Sequence, residues 1–247
     1  MSEQPRKCDP EVSGSIALPT ASTCFRIEDV MDRKTAEREA ARKHRMPTPI
    51  EFRQGYEAFQ RHEYRDAVYK TAAFLVDHFW GEPERMADGV GALLLSWNQA
   101  FYRYGVFDFV RLEEALRRNM ETLKGFRNRN IRSLMESDEP VIKRLFLEFL
   151  DALQIKEGTK RGQRSPVASG KALHILAPDF LPLWDEKIAK AYGTYYKPDP
   201  ERKYLVFAYK MQELARELDP HVPTGCGRTF LKLIDEYNYA RYTKGWV

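Results

Sequence analysis

A chain of 247 residues with 43% hydrophobic and 31% charged side chains has the composition of a folded globular protein with a sizeable core. No stretch approaches the roughly 18 uninterrupted apolar residues of a membrane span. A formal charge of +4 and a pI near 8.8 fall short of the pI above ~9 that marks a nucleic-acid domain by itself. The N-terminal MSEQPRKCDPEVSG has no apolar run behind its basic residues, unlike a secretory leader. Cys8, Cys24 and Cys226 are widely separated, with neither metal-ligand nor disulfide-framework spacing. A cytoplasmic protein with reduced thiols is the expectation.

Residues 1–25 are rich in Ser, Pro and Thr without periodicity and read as a flexible tail. The remainder, 26–247, reads as an all-helical domain, either one body or two closely packed lobes. A charged helix is expected over 27–45, ended by the prolines of MPTP. The stretch 52–80 carries Tyr56, Phe59, Tyr64, Val68, Ala72, Leu75 and Phe79 at mostly three- to five-residue spacing. Residues 86–105 form an unusually apolar helix with two internal glycines, the pattern of a buried bundle centre. An amphipathic helix over 107–126 presents Leu112, Leu116, Met120 and Leu123 as one stripe.

Ser137, followed by acids and Pro140, predicts a helix start, and Leu145, Phe149 and Leu153 then repeat every four residues. Further helices are expected over 197–218 and 227–242, after the turn DPHVPTGCG. Period-two alternation is scarcely visible, so the fold class is all-α.

Charge is unevenly spread. Lys156, Lys160, Arg161, Arg164 and Lys171 face one acid, Glu157, so this segment carries as much net charge as the whole chain. A solvated loop is the common meaning of such a run; a phosphate-facing loop is the sharper one. In the following SPVASGKALHILAPDFLPLWDEKIAKAYG (165–193), Ser165-Pro166 predicts a helix start. Lys171 lies one to two turns in, and Pro178 and Asp179 end the helix. Asp185 then stands at the N-cap of the next helix, where its carboxylate accepts orphan backbone N–H groups and is favoured by the helix dipole.

This order resembles the helix-hairpin-helix DNA glycosylases. In that family a Leu-Pro-Gly-x-Gly-x-Lys run opens the second hairpin helix, and a connector ends in an aspartate capping the next helix. Pro166 stands five residues before Lys171, and PLWDEKIAKAYG matches the family's Pro-Val-Asp segment, with Asp185 on its aspartate. The likeness centres on the hairpin-like motif at 156–193. Val167 and Ser169 occupy the positions of the family's hairpin glycines, with Gly170 one place later.

The resemblance implies a DNA partner and excision of a damaged base by a Lys171/Asp185 pair, with or without strand cleavage. Lys171 would be the amine nucleophile and Asp185 the electrostatic partner of an oxocarbenium-like transition state. Lys160, Arg161, Arg164, Ser169 and Gly170 would meet the DNA, and Trp97, Phe101 and Trp184 are candidates to stack a flipped base. The scattered His44, His62, His78, His174 and His221 imply no metal, and no cofactor is expected. His174 reads as a packed, hydrogen-bonded histidine. The alternatives are a non-catalytic module of the same ancestry that binds nucleic acid or protein, with Asp185 kept only as a cap, and other chemistry on a small ligand.

Overall fold

The prolines, caps and helical periodicities fold into ten α-helices and a closing π-helical turn among the residues that the computed structural model describes: 45–63, 65–218 and 227–247. These all belong to the unit Ala40–Val247. The tail 1–25, the helix expected over 27–45 (all but Arg45), most of the turn before residue 227, the three cysteines, His44 and His221 lie outside the described residues. Among those described there is no strand, only an isolated antiparallel bridge between Phe107 and Ile155. The all-α fold class is therefore as expected.

Helix α1 (Pro49–His62) opens with a capping box: the Thr48 Oγ1 accepts from the Glu51 N–H, and Glu51 accepts from the Thr48 N–H. The helical pattern of 52–80 is divided in two. α1 stops at His62, and α2 (Ala67–His78) starts after Asp66, whose φ of 41° is left-handed. Aspartate tolerates that region better than most residues.

The apolar helix α3 (Pro83–Trp97) is indeed central, contacting α2, α5 (Phe109–Arg127) and α7 (Pro166–Leu176). Its glycines permit the approach. A Cβ at Gly89 would lie 2.9 Å from Val76 Cγ2, and one at Gly91 would lie 2.6 Å from the Phe109 ring. The single turn α4 (Gln99–Tyr102) follows a break at Asn98. Leu112, Leu116 and Leu123 are fully buried, with Met120 packed beside them.

Helix α6 (Glu139–Ala152) begins one residue later than the sequence suggests. Ser137 falls inside a 3₁₀ turn, Glu136–Asp138, because Arg129 grips both oxygens of Asp138 at 2.7 Å and the Met135 N–H adds a third bond. Helices α8 (Glu186–Ala191), α9 (Pro200–Leu218) and α10 (Phe230–Asn238) complete the set, and the π-turn Tyr239–Lys244 continues α10. That turn packs on both α1 and α8.

Candidate active site

Ser165 caps α7 as expected, its Oγ accepting from the Ala168 N–H at 3.2 Å. Every residue from Ala168 to Leu176 is buried. Lys171 therefore has no route to bulk water along its own helix. Its amine donates to the Trp97 carbonyl at 3.1 Å and to Asn98 Oδ1 at 2.7 Å. The Trp97 carbonyl is free to accept because α3 ends there, and the Asn98 side chain at that end supplies the second acceptor. Asn98 is itself held by donating to Ser165 Oγ at 3.3 Å, so the α7 cap and the α3–α4 break position the amine together. Burial pulls the Lys171 amine down to about 8, against the opposing pull of Asp185 and Asp235.

The amine borders a cavity of about 290 Å³ that opens to the surface and that Asp185 also lines. Asp185 is the N-cap of α8: its Oδ1 accepts from the Ile188 N–H at 2.8 Å, and its Oδ2 accepts from Thr243 Oγ1 at 3.3 Å. It is thus a cap and a cavity wall at once. Two residues fourteen positions apart line one cavity because the connector over 178–183 turns the chain back between α7 and α8.

The opposite wall comes from α10 and the α1–α2 break, which sequence reasoning did not single out. Lys232, 1% exposed, sits 3.2 Å from Asp66, 3.4 Å from Asp235 and 3.9 Å from Glu236. Its ammonium also lies 4.7 Å from the Phe59 ring centroid and 4.5 Å from that of Tyr69. Burial opposes its charge, but the three carboxylates outweigh burial and hold the amine above its ordinary range. Arg228 adds a second cation on Glu236, at 2.9 Å, while Asp66 and Asp235 share Lys232. Burial, with help from Asp185 and Asp66, accordingly pushes Asp235 up to about 6 despite Lys232.

Aromatic walls are provided by Trp97, Phe59 and Tyr239. Trp97 is the one sequence-proposed stacking residue whose ring borders the cavity without being sealed in the core. Trp184 also reaches the cavity but is fully buried, with Phe146, Tyr204 and Phe207 packed around its ring, so it cannot sandwich a base. Phe101 packs against Tyr102 and is not part of the lining.

Ser169 and Gly170 are likewise corrected as nucleic-acid contacts. Both are buried, and a Cβ at Gly170 would lie 3.1 Å from Trp184 Cβ, so the glycine serves helix packing. The basic loop stays on the surface, away from the lining. Arg164 pairs with Asp151 at 2.7 Å, Lys160 lies 5.0 Å from the Tyr104 ring centroid, and Arg161 is exposed.

His174 is fully buried. Its Nδ1 donates to the Leu181 carbonyl at 2.8 Å, which leaves Nε2 to accept the Tyr69 hydroxyl at 2.9 Å. Burial lowers it to about 3, so the ring is neutral and helps fix the α7–α8 connector. Among the described residues no group of His, Cys, Asp and Glu is placed to hold a metal ion, and no helix is long and apolar enough to cross a membrane.

No protein-family model, curated protein or solved structure matches the chain.

Proposed function

We propose that this cavity is the active site of a DNA glycosylase-like enzyme that cleaves the N-glycosidic bond of a damaged nucleotide, as the resemblance to the helix-hairpin-helix glycosylases implies. The observation that carries the reading is the convergence of the Lys171 amine and the Asp185 carboxylate on one solvent-connected cavity. At about 290 Å³ it lies at the small end of ligand pockets, which run from ~300 to 1,000 Å³. A base flipped from the stack matches that scale better than an extended ligand.

The surroundings of Lys171 suit nucleophilic use. A neutral amine has two N–H groups, and the Trp97 carbonyl and Asn98 Oδ1 accept both, leaving its lone pair for the cavity. Desolvation to about 8 makes the neutral form accessible near physiological pH. Asp185 cannot rotate freely while it caps α8 and holds Thr243, so its charge is preorganised for positive charge developing on the sugar.

The test is borohydride trapping of the full-length protein on oligonucleotides carrying oxidised, deaminated and alkylated bases. The expected result is a covalent adduct on at least one lesion that is lost, by at least about 10³-fold, in Lys171→Ala. No adduct and no base release on any lesion would refute the assignment.

A second reading, chemistry on a free nucleoside or other small ligand, is favoured by two observations. Ser169 and Gly170 are buried away from any phosphate, and Arg164 is engaged by Asp151. Base release from nucleosides equal to that from oligonucleotides, and insensitive to salt, would select it, because phosphate contacts make DNA binding fall steeply with salt.

A further inference from the structure

Breaking an N-glycosidic bond requires more than an amine and a carboxylate. A neutral base leaves as an anion unless it is protonated, and Lys171 acts as a nucleophile only after losing its own proton. The cavity holds four acids besides the two lysines: Glu63, Asp66, Asp185 and Asp235. Asp185 has both oxygens engaged by Ile188 and Thr243, and Asp66 is paired with Lys232 at 3.2 Å. Glu63 is exposed on the outer rim rather than enclosed with the two lysines.

Asp235 meets Lys232 less closely than Asp66 does, and its side chain is more open, 13% accessible against 7%. It projects from α10, a different wall from that of Asp185, and only its Oδ2 meets Lys232, at 3.4 Å. Its Oδ1 makes no hydrogen bond to the described residues. The side chain keeps 13% of its surface accessible where it borders the cavity. The titratable groups facing it are Lys232 and Glu236 on its own helix, Asp66 at the α1–α2 break, Tyr69 on α2, Asp185 at the start of α8 and Lys171 on α7.

From this arrangement we infer that Asp235 is the proton donor to the departing base, an assignment that rests on the N-glycosidic reading above. As the C1′–N bond breaks, its electron pair moves onto the base nitrogen, which takes the Asp235 proton. The Lys171 lone pair forms the new bond to C1′. The substituted ammonium so produced returns one proton to the Asp235 carboxylate, and the acid is regenerated. Asp235 pushed up to about 6 and Lys171 pulled down to about 8 leave a small but constant population with acid protonated and amine free between those values. Base release is then flat from about pH 6 to 8 and falls on either side.

An abasic site separates this role from a structural one, because it offers Lys171 an aldehyde and no leaving base. In Asp235→Asn, release of a neutral base that the wild type excises is expected to drop at least about 100-fold. Borohydride trapping on an abasic-site oligonucleotide should stay within about threefold of wild type, confirming an intact fold and a working Lys171. Asp235→Glu should recover part of the lost release, and the alkaline fall should disappear from the residual Asp235→Asn profile.

Equal loss of release and trapping in Asp235→Asn, or loss of neither, would overturn the assignment. A wild-type protein inert on both the lesion panel and the abasic site would overturn the N-glycosidic reading itself, and the role of Asp235 with it.

Discussion

Two lysines wall the same cavity and are treated in opposite ways. Lys171, on α7, meets a backbone carbonyl and an amide oxygen, and burial draws its amine down to about 8. Lys232, on α10, is more deeply buried yet held above its ordinary range by Asp66, Asp235 and Glu236. Burial alone therefore does not set the state of an amine; the charge on its direct partners does. Neutral acceptors leave Lys171 able to become a free base, and carboxylates commit Lys232 to a permanent charge that joins α10 to the α1–α2 break.

The largest expected consequence of this contrast is in stability. Lys232→Met leaves Asp66 and Asp235 buried against each other without a cation, and should cost about 3–5 kcal/mol in urea unfolding. Lys171→Met, which strands no carboxylate in a direct ion pair, should cost far less. Equal losses would erase the distinction.

The pH dependence of stability comes next. Lys171 binds its proton less tightly folded, at about 8, than unfolded, at its ordinary 10.5, so between those values the unfolded chain carries more protons and stability rises with pH. The difference between wild type and Lys171→Met should therefore shift toward the wild type across that window, by up to about 3 kcal/mol. A flat difference would mean that the folded amine retains an ordinary affinity for protons.

Asp185→Asn distinguishes a cap from a catalytic charge, since asparagine caps about as well as aspartate. Melting should be nearly unchanged while base release falls about 100-fold. A fall in stability with unchanged release would leave Asp185 a cap only. The smallest effect is expected for Asn98→Ala: removing the 2.7 Å acceptor loosens the amine, and trapping should slow about tenfold. Unchanged trapping would show that the Trp97 carbonyl alone suffices.

The helices were legible in the sequence wherever one face stays apolar for several turns, as in α5, or where a side chain caps a start, as at Ser165 and Asp185. The break between α1 and α2 was not, because the apolar spacing of the sequence runs through it and the Asp66–Lys232 pair found there joins residues far apart in the chain. The same distance concealed half of the cavity. Lys171 and Asp185 belong to one local motif, whereas Lys232 and Asp235 lie in a helix whose apolar residues outnumber them, and their pairing depends on α1–α2 and α10 folding together. Asn98 did carry a signal: a polar residue inside an aromatic run needs partners, and here they are Ser165 and Lys171. Trp184 misled because ring size says nothing of which side of a helix junction the ring occupies.

The π-helical turn at Tyr239–Lys244 has a consequence of its own. Such a turn is an α-helix widened by one added residue, so everything beyond it is rotated by about 100° from where an unbroken helix would carry it. Tyr239, at the start of the turn, lies on the cavity wall, and the offset beyond it lets Thr243 reach the Asp185 carboxylate while its carbonyl accepts from Lys187. Excising a single residue there would restore ordinary winding, swing the Thr243 hydroxyl away, and leave the aspartate held only through its capping bond to Ile188.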